Sequence, residues 1–165
     1  MARRDREFLD LFPGEPAAAG GDFDHDGSSE LATHESVVMA VLRSRGFSQE
    51  HWRLVVNGRG RSIFGIAHGL YPDVVALDGS DSGVAWALEV ATPSAIVDEG
   101  SWERWGRIAA TGISFILTVP FGAGVMTERA AELLDVRAGL VYEYGVTPDR
   151  VFFSLPARGG TGIAA

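Results

Sequence analysis

Lysine and cysteine are both missing from this 165-residue chain. Without cysteine there is no disulfide, no thiolate metal ligand and no thiol nucleophile. All 14 basic residues are arginine, so any fixed cation in a site has to be a guanidinium or a protonated imidazole. Long hydrophobic runs are missing as well: no stretch approaches the roughly 18 apolar residues of a membrane span. The opening residues, MARRDREFLDLFPG, contain arginines but no continuous apolar stretch of signal-peptide length. A cytoplasmic protein with no membrane partner is therefore expected.

Positive charge is scarce relative to negative. Twenty-two acids against 14 arginines give a formal charge of −8. Residues 1–30 hold eight acids and three arginines, and the remainder holds 14 acids and 11 arginines. A net-acidic body argues against tight, non-specific nucleic-acid binding, which needs clustered positive charge, although a local basic groove stays compatible with it. Hydrophobic residues make up 46% of the chain, enough for a packed core.

The pattern along the chain predicts a short apolar-sided helix in 1–12, stopped by Pro13-Gly14, and an acidic Gly/Ala/Asp linker up to residue 29. A single domain is expected over 30–156, followed by a disordered tail from 157. Within the domain the expected elements are a helix at 30–45, strands at 52–56, 72–77 and 84–90, a helix at 97–111 and a strand at 113–119. A helix at 124–134 and strands at 140–144 and 150–155 complete the order α-β-β-β-α-β-α-β-β, an α/β arrangement. Asn57-Gly58 is a hairpin signal, and Ser62–Ile66 is an ambiguous short strand.

Three acids stand out. Leu31, Glu35, Val38 and Leu42 follow the i, i+4, i+7, i+11 spacing of one helix face, which sets Glu35 in line with an apolar stripe. Asp73 heads a strand directly after Pro72, and Glu89 lies on the next strand, across a turn. Alternation puts Glu89 on a face with Ala85, Ala87 and Ala91, opposite Val84, Trp86, Leu88 and Val90. Small neighbours around one acid leave room for an ion or a substrate. Two converging carboxylates repel, and a divalent cation relieves that repulsion. The alternative is two unrelated solvated acids.

The stretch YPDVVALDGSDSGVAWALEVATP (71–93) resembles the signature of the PD-(D/E)XK nucleases, the restriction endonuclease-like superfamily. The resemblance spans roughly residues 30–135. It implies an α-β-β-β-α-β core, here with an added C-terminal helix and strands. It also implies a Mg²⁺- or Mn²⁺-dependent phosphodiesterase acting on DNA or RNA. Asp73, Glu89 and the Val90 carbonyl would hold the metal, and Glu35, the helix acid, would bind a second ion or a metal-bound water. The departure is at Ala91, where the family carries lysine. That ammonium is thought to activate the attacking water and stabilise the developing charge. Arg104, Arg107 and His68 are the candidate substitutes, although an arginine is a poor proton acceptor. Arg104 has a plainer reading as a partner of Glu99 or Glu103, and Arg107 as a partner of Glu103. The competing expectation is a catalytically inactive domain of the same fold that binds nucleic acid or a protein. The oligomeric state is left open, a homodimer included.

Other signals are weaker. Arg59 and Arg61, beside Gly58 and Gly60, are candidates to touch a phosphate backbone from a hairpin tip. DFDHDG (22–27) matches half of a calcium loop, but the twelfth position is Thr33 rather than the required glutamate. PFGAG (120–124) reads as a strand-to-helix turn, since it lacks the lysine of a phosphate-binding loop. No dinucleotide fingerprint and no Ser/His/Asp motif is present.

Overall fold

The structure is a computed structural model that describes residues 27–44, 47, 52–57, 65–66, 69–78 and 83–156. The segments expected as an N-terminal helix and as a tail lie outside these residues. So do most of the linker with its Asp-rich loop, Gly58, and Arg59, Arg61 and His68. Only the end of the ambiguous Ser62–Ile66 strand is described, where Ile66 bridges Leu70.

The described elements are α1 (Gly27–Arg43), β1 (Trp52–Val56), β2 (Val74–Asp78), β3 (Val84–Val90), α2 (Pro93–Ile96), α3 (Glu99–Ala109), β4 (Ser114–Pro120), α4 (Gly124–Leu133), β5 (Leu140–Val146) and β6 (Val151–Ser154). The six strands form one sheet in chain order, β1-β2-β3-β4-β5-β6. β1, β2 and β3 are an antiparallel meander, and β6 returns antiparallel to β5. β4 runs parallel to both of its neighbours, β3 and β5. A parallel pair needs a crossover. α2 and α3 make the first one, and α4 the second. The α/β class expected from the sequence is the class observed.

Helices cover both faces of the sheet, so β3 and β4 are apolar on both sides. One core gathers Ala87, Ala91, Phe115, Leu117 and Val119 under Trp102, Trp105 and Ile108 of α3. The other packs Val37, Val38 and Val41 of α1 against Val74, Trp86, Leu88 and Val90, with Phe47 edge-on to Tyr142 and Phe153 at 5.2 Å each. Aromatic edge-to-face pairs of this kind add to their area of burial.

Two local features depart from the simple pattern. The β2–β3 register shifts at Ala76/Leu77: Ala76 pairs with Trp86, but Leu77 pairs with Val84. Ala85 is thus the extra residue of a bulge. Val84 turns over to the α3 face, and Ala85 joins the α1 face, the reverse of strict alternation. The expected helix at 97–111 is one helix, Glu99–Ala109, that starts two residues later because Asp98 caps it, and the short α2 before it is not among the expected elements. Asp98 Oδ2 accepts the Ser101 amide at 2.7 Å, a side-chain cap for an otherwise orphaned donor. α2 begins in the same way, with Thr92 Oγ1 accepting from Ala95 N and Pro93 at the first position.

Candidate active site

Asp73 stands at the end of the sheet. The Asn57 amide donates to its carbonyl at 3.0 Å, and Asn57 Nδ2 donates to the Pro72 carbonyl at 2.6 Å. Both bonds pin the Pro72-Asp73 segment to the end of β1. Val74 pairs with Leu88, and continuing that register sets Asp73 opposite Glu89. The Asp73 side chain contacts both β3 and α1. Its Oδ2 accepts the Val90 amide at 2.8 Å, and His34 Nε2 of α1 lies 3.0 Å from the same oxygen.

Glu89 is on the face that α3 covers and is only 3% exposed. Its Oε2 accepts from Arg104 Nη1, and Arg104 Nη2 donates to the Tyr71 carbonyl at 2.8 Å. Among the described residues, Glu89 Oε1 is buried with no hydrogen-bond partner. Burial pushes the Glu89 carboxyl from 4.5 up to about 8, and the Asp73 charge pushes it the same way. The Arg104 charge and hydrogen bond pull it down but do not win. The Trp105 indole acts in the same direction as Arg104, short of a well-formed bond. The physical cause is desolvation of an anion whose one cationic partner is itself half in water.

Of the three candidate cations, Arg104 reaches Glu89, rather than the helix neighbours Glu99 or Glu103. Arg107 is exposed at the end of α3. Ala91 is fully buried in the cluster that holds Ala87, Trp102 and Trp105. The two indoles meet edge-on at 4.9 Å, and Trp102 Nε1 donates to the Ile96 carbonyl at 2.7 Å. The small residues flanking Glu89 thus make room for tryptophans.

Glu35 is exposed and lines a groove with Met39, Arg43, Val146 and Phe152, away from Asp73. The spacing that selects Leu31, Glu35, Val38 and Leu42 also selects Glu30, His34, Val37 and Val41, one residue back. The second set faces the sheet. Val37 and Val41 are fully buried, His34 meets Asp73, and Glu30 accepts from Ser94 Oγ. Glu30 and His34 are the helix residues that the sequence reading missed. The signal was present in the alternative phase of the same periodicity.

Beyond Glu30, the Tyr144 hydroxyl donates to the Ala91 carbonyl at 3.0 Å. Burial, and then the Glu30 charge, raise the Tyr144 pKa. Thr118, paired with Val90, keeps its buried hydroxyl without a partner among the described residues.

Glu30, His34, Asp73, Glu89 and Arg104 therefore gather where α1, β2, β3 and α3 meet, whereas Glu35 and Arg107 point elsewhere. Among the described residues no group of three or more His, Asp or Glu side chains is arranged to hold a metal ion, and no helix is long and apolar enough to cross a membrane. The donor set at this corner is two carboxylates, one just before β2 and one on β3, with backbone carbonyls beside them. Comparison with protein-family models, with curated proteins and with solved structures finds no match in any of the three.

Proposed function

We propose that this corner is the active site of a divalent-metal-dependent phosphodiesterase of the PD-(D/E)XK type, acting on DNA or RNA, with Arg104 in the role of the motif lysine. The observation that carries the reading is Glu89: a buried carboxylate with one oxygen unpartnered, facing a second carboxylate, Asp73. An orphaned buried carboxyl oxygen is costly, and a Mg²⁺ or Mn²⁺ ion is a hard cation that carboxylate oxygens suit. Asp73, Glu89 and the Val90 carbonyl would hold it. Support also comes from the architecture. With the one-turn α2 counted together with α3, the run α1-β1-β2-β3-α3-β4, an antiparallel meander followed by a parallel strand, is the element order that the resemblance implies.

When bound, such an ion polarises a phosphodiester and acidifies an attacking water. The chain's own residues have separate tasks. His34 and the Val90 amide orient the Asp73 carboxylate. Arg104 presents a guanidinium that can pair with phosphate oxygens and stabilise developing negative charge. Being a guanidinium, it does not take the water's proton. Losing the lysine's part of the chemistry lowers turnover by about 10²–10³, by analogy with deletion of one preorganised donor elsewhere.

The Arg104–Glu89 contact also favours a second reading, a domain of the same fold that binds nucleic acid or a protein without cleaving it, because the guanidinium already occupies one oxygen of the carboxyl group. Cleavage of single- and double-stranded DNA and RNA with Mn²⁺ separates the two. The enzyme reading expects weak, metal-dependent cleavage that disappears in Asp73→Asn, Glu89→Gln and Arg104→Gln. Intact substrates with folded, Mn²⁺-binding wild type leave the binding domain standing.

A further inference from the structure

We infer that the Arg104–Glu89 ion pair is a latch on the metal site, which a divalent cation must open in order to bind. The inference rests on the reading that Asp73 and Glu89 are the metal donors. It goes beyond that reading by making Arg104 a competitor of the ion.

The two partners of the pair differ in mobility. The Glu89 side chain is 4% exposed and fixed in β3, whereas the Arg104 side chain is 41% exposed and reaches in from α3. If one partner leaves, it is the arginine, which can swing into water at small desolvation cost. The carboxylate has no comparable exit. Arg104 holds the site at two points: Nη1 on Glu89, and Nη2 on the Tyr71 carbonyl, two residues before Asp73. One side chain thus ties the strand carrying Glu89 to the segment carrying Asp73. The fork geometry of a guanidinium allows this, whereas a lysine ammonium would lack the second planar arm.

A divalent cation between Asp73 and Glu89 would share the Glu89 carboxylate with this guanidinium, and the two positive groups repel. The ion therefore binds with Arg104 displaced, and its net affinity is lowered by the cost of breaking the pair. The displaced guanidinium remains tethered beside the site, where a phosphate oxygen can take it up.

The test is Mn²⁺ binding by titration calorimetry on the full chain, in wild type, Arg104→Gln and Arg107→Gln. Arg107→Gln removes the same charge from the same helix at an exposed position. Arg104→Gln should bind Mn²⁺ tighter by about tenfold or more, since it deletes a positive charge next to the donors. Arg107→Gln should stay within about twofold of wild type, as an exposed, screened charge does. Equal or weaker binding by Arg104→Gln, with wild type still binding, overturns the latch and leaves the metal site intact. No binding by any variant overturns both. Circular dichroism checks folding. If Arg104→Gln fails to fold, Arg104→Lys takes its place, because an ammonium cannot make both contacts and should also bind Mn²⁺ tighter than wild type. A direct readout comes from the side-chain ¹⁵N–¹H spectrum. The Arg104 guanidinium protons should be protected in metal-free protein and lose that protection on saturation with Mg²⁺. Unchanged protection at saturation also overturns the latch.

Discussion

Asp73 Oδ2 accepts the Val90 amide proton at 2.8 Å, so an acidic side chain occupies a place in the β2–β3 ladder where a backbone carbonyl would ordinarily stand. The same oxygen meets His34 at 3.0 Å. Asp73 is thus both a candidate site residue and the structural end-cap of β3.

This dual role separates two substitutions. Asp73→Asn keeps a carbonyl oxygen for Val90 and should cost less than about 1 kcal/mol. Asp73→Ala leaves a buried amide with no acceptor, and should cost about 1–3 kcal/mol. Urea unfolding at neutral pH measures both. Equal stability of the two variants would show that the Val90 bond contributes nothing. Nuclease activity, where present, should be lost in both, because only the charge is common to the two changes.

The Glu89 carboxyl supplies a pH prediction. Its folded-state value is raised from 4.5 to about 8, chiefly by burial. Between those two values the folded protein holds a proton that the unfolded chain has released. Stability from this group is therefore fully present below about pH 4.5 and is lost as pH rises through 8. Glu89→Gln removes the titration. The wild type should lose stability relative to Glu89→Gln across that window, with the gap levelling off above it. Chemical denaturation at several pH values reads this out. A wild-type profile parallel to that of Glu89→Gln from pH 5 to 9 would contradict it.

A second buried acid, Glu143, caps a helix. α4 begins after Ala123, which offers no side-chain cap. Instead Glu143 of β5 reaches over, and its Oε1 accepts the Gly124 amide at 2.8 Å. This is a cap supplied from a neighbouring strand, with the acid favourably placed at the positive end of the helix. A Cβ at position 124 would lie 2.6 Å from that oxygen and 2.6 Å from Pro156 Cγ. Gly124→Ala should therefore destabilise, although alanine is the better helix former by about 1 kcal/mol. Glu143→Ala should cost about 1–3 kcal/mol by orphaning the amide. Thermal unfolding of both variants is the check, and a more stable Gly124→Ala would refute the crowding argument.

Much of this architecture was legible because hydrophobic period and turn chemistry are local signals. Trp52–Val56 and Val84–Val90 were readable to the residue, and the alternation of strands and helices in β3-α3-β4-α4-β5 follows from apolar strands between capped helices. What was not legible depended on contacts between distant residues. The helix phase that sets Glu30 and His34 inward, rather than Glu35, is decided by packing of Val37 and Val41 on β3, and the two phases differ by one residue. The bulge that exchanges Val84 and Ala85 arises from the β2 register, which no single strand encodes. Arg104 has acids within reach on its own helix, and only the tertiary fold carries it to Glu89 instead. The three alanines near Glu89 read as an open space, but Ala87 and Ala91 in fact lie under two indoles.

That last point changes what a lysine at position 91 should do. Ala91 shares a face with Glu89, so Ala91→Lys looks like a repair of the motif. Yet Ala91 is fully buried in the cluster with Trp102 and Trp105, and a four-carbon stem with an ammonium has to displace those rings. Overpacking a core costs about 1–3 kcal/mol, and an imperfectly paired buried charge costs about 3–5 kcal/mol. Pairing with Glu89 Oε1 offsets part of this, but it puts a second cation on a carboxylate that Arg104 already holds. Both routes lower metal affinity and stability together. Ala91→Lys is therefore expected to unfold at lower denaturant concentration than wild type and to cleave nucleic acid no faster. Ala91→Lys combined with Arg104→Gln is expected to recover part of the stability, since one cation then serves Glu89. An Ala91→Lys variant as stable as wild type that accelerates Mn²⁺-dependent cleavage would show instead that the tryptophan layer yields easily and that Arg104 does not do a lysine's work.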